Sequence, residues 1–65
     1  MKFKVGDKVT STWVENIGKT GTVSNKYEVL GLHGDSLKCW KKLFVLIEWS
    51  DGKISGELRR YVFKS

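Results

Sequence analysis

The sequence predicts a small all-β protein: one five-stranded antiparallel barrel with a long loop between its second and third strands and a short 3-10 turn before its last. Three observations carry this. Val5-Gly6-Asp7-Lys8-Val9 reads as an opening turn into a strand, and Gly18-Lys19-Thr20-Gly21-Thr22-Val23 reads as the next reversal. The apolar run Val45-Leu46-Ile47-Glu48-Trp49 ends at Ser50-Asp51-Gly52-Lys53, and an Asp-Gly pair between two strand-like runs is the strongest short hairpin signal. Leu58-Arg59-Arg60-Tyr61 is too short for a stable helix and closes the pattern as one tight turn.

Each element has its own warrant. In Lys8-Val9-Thr10-Ser11-Thr12-Trp13-Val14 β-branched residues dominate, and Val9 and Trp13 fall on one face at period two. Glu15-Asn16-Ile17-Gly18 is a turn, because Asn and Gly tolerate the left-handed backbone of tight reversals. The second strand runs from Thr20 to Val29, with Val23, Tyr27 and Val29 facing one way and Thr22, Ser24, Lys26 and Glu28 the other. The third, Leu43 to Trp49, is apolar on both faces until Glu48 and should be the most buried. In the primed turn expected at Asp51-Gly52 the chain reverses into Ile54-Ser55-Gly56-Glu57-Leu58, with Ile54 and Leu58 inward. Val62-Phe63-Lys64 forms the fifth strand, and closure would remove exposed edges. The expected core is Val9, Val23, Val45, Ile47, Trp49, Ile54, Leu58 and Val62.

Composition limits what such a chain can do. Its 65 residues suffice for one domain spanning 1–65, and no repeat, low-complexity stretch or Pro argues for a second. One Cys and one His cannot make an intrachain disulfide or a closed zinc site, so no metal and no cofactor is expected. The lone Cys39, the lack of an apolar run of about 20 residues and the polar start Met1-Lys2-Phe3-Lys4 lead to the expectation of a cytoplasmic protein without a membrane span.

Twelve Lys and Arg against seven Asp and Glu give a net charge of +5 and a pI near 9.6. That balance attracts polyanions, nucleic acid first, although small proteins are also basic for solubility alone. The excess is spread along the chain, +2 in residues 1–32 and +3 in residues 33–65, so there is no basic tail.

The strand and turn pattern Val-Gly-Asp-x-Val, Gly-x-x-Gly-x-Val and Trp-x-Asp-Gly, followed by a short turn before the last strand, resembles the Src-homology-3-like barrel class, in particular its KOW-like and Tudor-like branches. The resemblance covers about Val5 to Val29 and Leu43 to Phe63. It implies a small barrel that works by binding: KOW-like domains contact nucleic acid or protein in transcription and translation, and Tudor-like ones bind peptides, on aromatic cages or flat faces. The segment Leu30 to Lys42 is longer than the hairpin loop of that pattern.

That segment is the first place to look for a site, since long loops in compact domains are often binding loops. Lys38, Lys41 and Lys42 surround Trp40, a grouping that suits phosphates and base stacking, or a protein partner for which Trp is an anchor. The competing role for Trp40 is a lid over one barrel end. Asp35 to Trp40 could form a single helical turn capped by Asp35 or Ser36. Arg59 and Arg60 in the closing turn can fork onto phosphate, or pair with Glu57 or Glu48. Trp13, beside the first loop, should be half exposed. Trp13, Trp49, Tyr27 and Tyr61 could assemble an aromatic cage for a quaternary ammonium group, but core packing is the better account of Trp49 and Tyr27, and sequence order places no carboxylate beside them. His33, Asp35 and Cys39 lie close enough to suggest base, orienter and nucleophile, yet nothing on a glycine-flanked loop enforces that geometry. Gly18-Lys19-Thr20-Gly21 lacks the upstream glycine and following helix of a nucleotide loop.

The expected function is therefore a non-catalytic binding module without a small-molecule substrate. Its favoured partner is nucleic acid or a nucleoprotein machine of transcription or translation, met through Lys38, Trp40, Lys41, Lys42, Arg59, Arg60 and Trp13. The alternative is a stand-alone interaction or inhibitor module, of the kind phages and mobile elements encode, that meets an acidic protein surface.

Overall fold

A computed structural model describes residues 2–65. Five strands, β1 (Lys8–Ser11), β2 (Thr20–Val23), β3 (Phe44–Trp49), β4 (Ile54–Leu58) and β5 (Val62–Lys64), form one antiparallel sheet in the order β4-β3-β2-β1-β5. One helix, α1 (Gly34–Leu43), and two 3-10 turns, Tyr27–Leu30 and Arg59–Tyr61, complete the fold. The molecule is mostly sheet, and the sheet is open: β4 and β5 are its edges and do not pair, so the expected closure of the barrel is absent.

The turns follow the sequence closely, with one change of type. Gly52 has φ of 89° while Asp51 does not enter the left-handed region, so the β3–β4 connection is not a primed two-residue turn. The Gly52 N–H donates to Trp49 O at 2.9 Å and the Trp49 N–H to Lys53 O at 2.7 Å, which is a three-residue loop with glycine in the left-handed position. The Asp51 carboxylate explains the choice: it accepts from the Lys53 N–H at 3.1 Å and from Lys19 Nζ at 3.1 Å, both from an ordinary backbone conformation.

Two strands are shorter than their patterns suggest. β1 stops at Ser11 because the Ser11 hydroxyl accepts the Trp13 N–H at 3.0 Å and turns the chain outward, leaving Trp13 off the strand and 42% exposed. β2 stops at Val23, after which Ser24 Oγ takes the Lys26 N–H at 3.1 Å and the chain enters the 3-10 turn at Tyr27.

The core lies on the concave face of the curled sheet, where Val9, Val23, Val45, Ile47, Trp49 and Val62 pack together with Phe3 against them. Ile54 and Leu58 do not join it. Register sets Ser55 opposite Ile47 and Glu57 opposite Val45, so the alternate residues Ile54, Gly56 and Leu58 share the other face with Phe44, Leu46 and Glu48. Both inward polar groups have partners: Trp49 Nε1 donates to Ser55 Oγ at 2.8 Å, and Ser11 Oγ donates to Glu57 Oε1 at 2.8 Å. The latter bond links β1 to β4 across the side where the sheet fails to close.

On the outer face Leu46 is fully buried without belonging to the main cluster. It is covered because α1 crosses that face. The segment read as a loop is a ten-residue helix, and Leu43, expected to open the third strand, is its last residue.

A basic helix and turn as the candidate interface

The helix sorts its side chains. Leu37, Trp40 and Phe44, spaced three and four apart, form the inward stripe and are half-buried, whereas Lys38, Lys41 and Lys42 share the outward side. The structure lays Trp40 on the outer face of the sheet rather than over a barrel end: half-buried, its ring stacks on Phe44 at 5.2 Å between centroids and meets Tyr27 edge-on at 6.3 Å. A Cβ on Gly56 would overlap the indole, so glycine at this position of β4 is what lets the helix sit down on the sheet.

The last turn of α1 meets the 3-10 turn Arg59–Tyr61. Arg59 Nε donates to Lys41 O at 3.0 Å, satisfying one of the helix's terminal carbonyls and leaving the other guanidinium N–H groups free to face outward. Lys42, Leu43, Leu58, Arg59 and Arg60 line one shallow groove, and Phe3, Val62 and Phe63 continue the surface beyond the two arginines. Lys41 Nζ lies 4.5 Å from the Tyr27 ring centroid, Arg59 5.9 Å from Phe3, and Arg60 5.3 Å from Tyr61. These aromatic contacts hold the cationic heads in place without neutralising them.

Four carboxylates are engaged on other surfaces, and Asp35, in the first turn of α1, forms no ion pair with the helix's lysines among the described residues. Ion pairs join Lys19 to Asp51 at 3.1 Å, Lys26 to Glu48 at 3.6 Å and Lys64 to Asp7 at 3.4 Å. Neither Glu48 nor Glu57 pairs with Arg59 or Arg60, because Glu48 faces Lys26 and Glu57 is turned inward onto Ser11. Among the described residues, therefore, Lys38, Lys41, Lys42, Arg59 and Arg60 have no carboxylate partner. Of the seven predicted contact residues the structure brings Lys42, Arg59 and Arg60 into one groove; Lys41 lies over Tyr27, Lys38 is exposed on the same helix, Trp40 is packed beneath it, and Trp13 lies on the Tyr61 side with its ring 5.2 Å from that of Tyr61.

The remaining sequence candidates do not assemble. His33 precedes the first residue of α1 and makes no side-chain cap, Asp35 lies in the first turn, and Cys39 is exposed one turn later. No hydrogen bond links them, and no cluster of three metal-ligating side chains occurs, among the described residues. Sequence reasoning missed Glu57, because a charged residue in a strand is expected to face solvent; the polar Ser55-x-Glu57 alternation was the available signal. No described helix is long and apolar enough to cross a membrane. Comparison of the chain with protein-family models, curated proteins and solved structures finds no match.

Proposed function

We propose that this protein is a non-catalytic module that binds nucleic acid through the face formed by α1 and the Arg59–Tyr61 turn. The observation that carries this reading is a local cluster: Lys42, Arg59 and Arg60 line one groove, Lys38 and Lys41 stand on the adjoining helix, and none of the five is ion-paired among the described residues. A face of that kind releases condensed counterions on meeting a polyphosphate, and Arg59 and Arg60 supply the planar donors that phosphates accept. The order of strands and the 3-10 turn before β5 also support an open relative of the Src-homology-3-like plan.

Binding of labelled DNA and RNA oligonucleotides across a salt series tests the proposal. The logarithm of the affinity should fall linearly with the logarithm of salt concentration, and the Lys41→Glu, Lys42→Glu double variant should flatten the slope by about 1–2 units. An absence of affinity for either polymer at low salt would sink it.

A second reading has its own observation. Leu43 is 62% exposed within the basic groove and Phe63 47% exposed beyond it, and apolar anchors ringed by cations suit an acidic protein surface. Under that reading one partner is retained from nuclease-treated lysate at moderate salt, and Leu43→Ser abolishes the capture.

A further inference from the structure

Beside the cationic groove the surface changes character. Phe3, Val62 and Phe63 line a second cleft of about 290 Å³, together with Arg59 and Arg60. The same two arginines line the groove with Lys42 and Leu43, so they form a shared wall between an aromatic hollow and a cationic one. Register explains why a ring is left open here. Val62 lies opposite Ser11 and enters the core, so the next residue of β5, Phe63, stands on the opposite face beside Thr10 and is exposed on an edge strand. Phe3 is half-buried, and the Arg59 guanidinium lies 5.9 Å from its ring centroid. Among the described residues no carboxylate lines either hollow.

We propose that the aromatic cleft takes an unpaired nucleobase, so that the polymer bound by the basic face is single-stranded; this rests on the nucleic-acid reading above and adds the form of the strand. A phosphate held by Arg59 or Arg60 in the groove brings its neighbouring base to the mouth of the aromatic cleft, because the two hollows share that wall. The lining offers ring faces and planar guanidinium groups, and every base has a π-face that stacks on either. It offers no amide, hydroxyl or carboxylate to read a base edge, so the strand is taken with little sequence preference. A duplex fits neither hollow as well. Its bases are stacked inside, α1 carries no Arg, Asn or Gln to fork onto their edges, and the helix's lysines are point charges suited to phosphate. The cleft also lies near the lower end of the size range for ligand sites, which suits one flat ring rather than a partner's helix.

The test titrates the whole protein into labelled probes of one length: a mixed-sequence single strand, its duplex, and a strand of the same phosphates whose sugars carry no bases, with a glutamate homopeptide of equal charge as a fourth. The single strand should bind about tenfold tighter than the abasic strand. It should also bind tighter than the duplex, although the duplex carries the denser charge. The ring signals of Phe63 in NMR should move with the single strand and not with the abasic one. Phe63→Leu keeps an apolar side chain on β5 and removes the ring, and should weaken binding of the single strand about tenfold while leaving the abasic strand as it was. Stacking releases no counterions, so that loss should displace the plot of log affinity against log salt without changing its slope, whereas Lys41→Glu with Lys42→Glu changes the slope. Phe63→Trp should restore the affinity. Should Phe63→Leu fail to fold, the abasic comparison and the Phe63 signals of the parent still decide. Absence of affinity for every oligonucleotide overturns this inference together with the nucleic-acid reading. Equal affinity for the strand, the duplex and the abasic backbone overturns the inference alone and leaves a face that reads only charge. It is overturned as well if the glutamate peptide binds as tightly as the single strand, or if folded Phe63→Leu binds that strand as the parent does.

Discussion

The two faces of β3 are buried by different means. On the concave side Val45, Ile47 and Trp49 are enclosed by the sheet's own curl, with Val9, Val23 and Val62 brought in from β1, β2 and β5. On the convex side Leu46 and Phe44 are covered by a helix that reaches the sheet through Trp40. The first core depends on strand register and long-range pairing; the second depends on one indole against one glycine. A chain this short has too little apolar surface for a single large core, and sharing a central strand between two small ones is how it reaches a stable fold. The consequence for function is direct, because the side that carries the basic face is the one held by fewer contacts.

If the concave core dominates, truncation at its centre has the largest effect. Ile47→Ala should cost about 4 kcal/mol, within the range for emptying a fully buried aliphatic position, and should move the denaturant midpoint further than any truncation on the convex side. An unchanged midpoint would show that the concave face does not hold the fold together. Trp40→Ala comes next. Its half-buried ring places it near the lower end of the range for a large aromatic, about 3 kcal/mol, and the loss should appear with reduced helical circular dichroism and weakened oligonucleotide binding together. Weakened binding with an unchanged melting temperature would instead make Trp40 a contact residue.

Two glycines sharpen the same contrast. A Cβ at Gly21 would overlap Ile47 and approach Trp49 at 3.0 Å, and both neighbours are locked in the concave core. At Gly56 the obstacle is Trp40, whose half-buried ring can shift toward solvent. Gly21→Ala should therefore cost about 3 kcal/mol and Gly56→Ala about 1 kcal/mol, the two ends of the usual range for overpacking. Equal costs in thermal melts would mean that α1 is as firmly seated as the sheet.

This asymmetry also explains which parts of the fold could be read from residues alone. Alternation in β1 and the start of β2, the two-sided apolar run of β3 and the Asp51-Gly52 reversal are local signals, and each lies where local chemistry predicts. The helix was hidden by its glycines: Gly31 and Gly34 bracket its start and suggested a loop, although Leu37, Trp40 and Phe44 carry helical spacing. The phase of β4 was hidden for a different reason. Ile54 and Leu58 are its apolar residues, but once β3 buries both of its faces, apolar side chains on a neighbour no longer tell which face is the core, and register with Ile47 and Val45 decides. The cationic face was legible only as a list of residues in two separate segments; its coherence comes from Arg59 reaching back to Lys41.

The smallest expected effect concerns the turns on the sheet side. Asp7 and Asp51 both hold their carboxyls below the ordinary value of 3.8, Asp7 first through the backbone N–H of Lys4 and Asp51 first through that of Lys53, with Lys64 and Lys19 adding to the effect in turn. A lowered native pKa means that the unfolded chain takes up protons more readily than the folded one as pH falls. The contribution of each carboxylate is thus complete above the ordinary value, and it disappears as pH drops through the lowered one. Since Asp7 precedes β1 and Asp51 turns β3 into β4, acid should loosen the frame of the concave core while Trp40 stays seated on the outer face. The protection factors of the Lys4 and Lys53 amides, measured against their intrinsic exchange at each pH, should fall below pH 3.8 ahead of those of α1. Asp51→Asn should melt slightly below the parent at neutral pH, and that gap should vanish in strong acid, where the parent's Asp51 is itself protonated. A gap that persists there would assign the role of Asp51 to its shape and hydrogen bonds rather than to its charge.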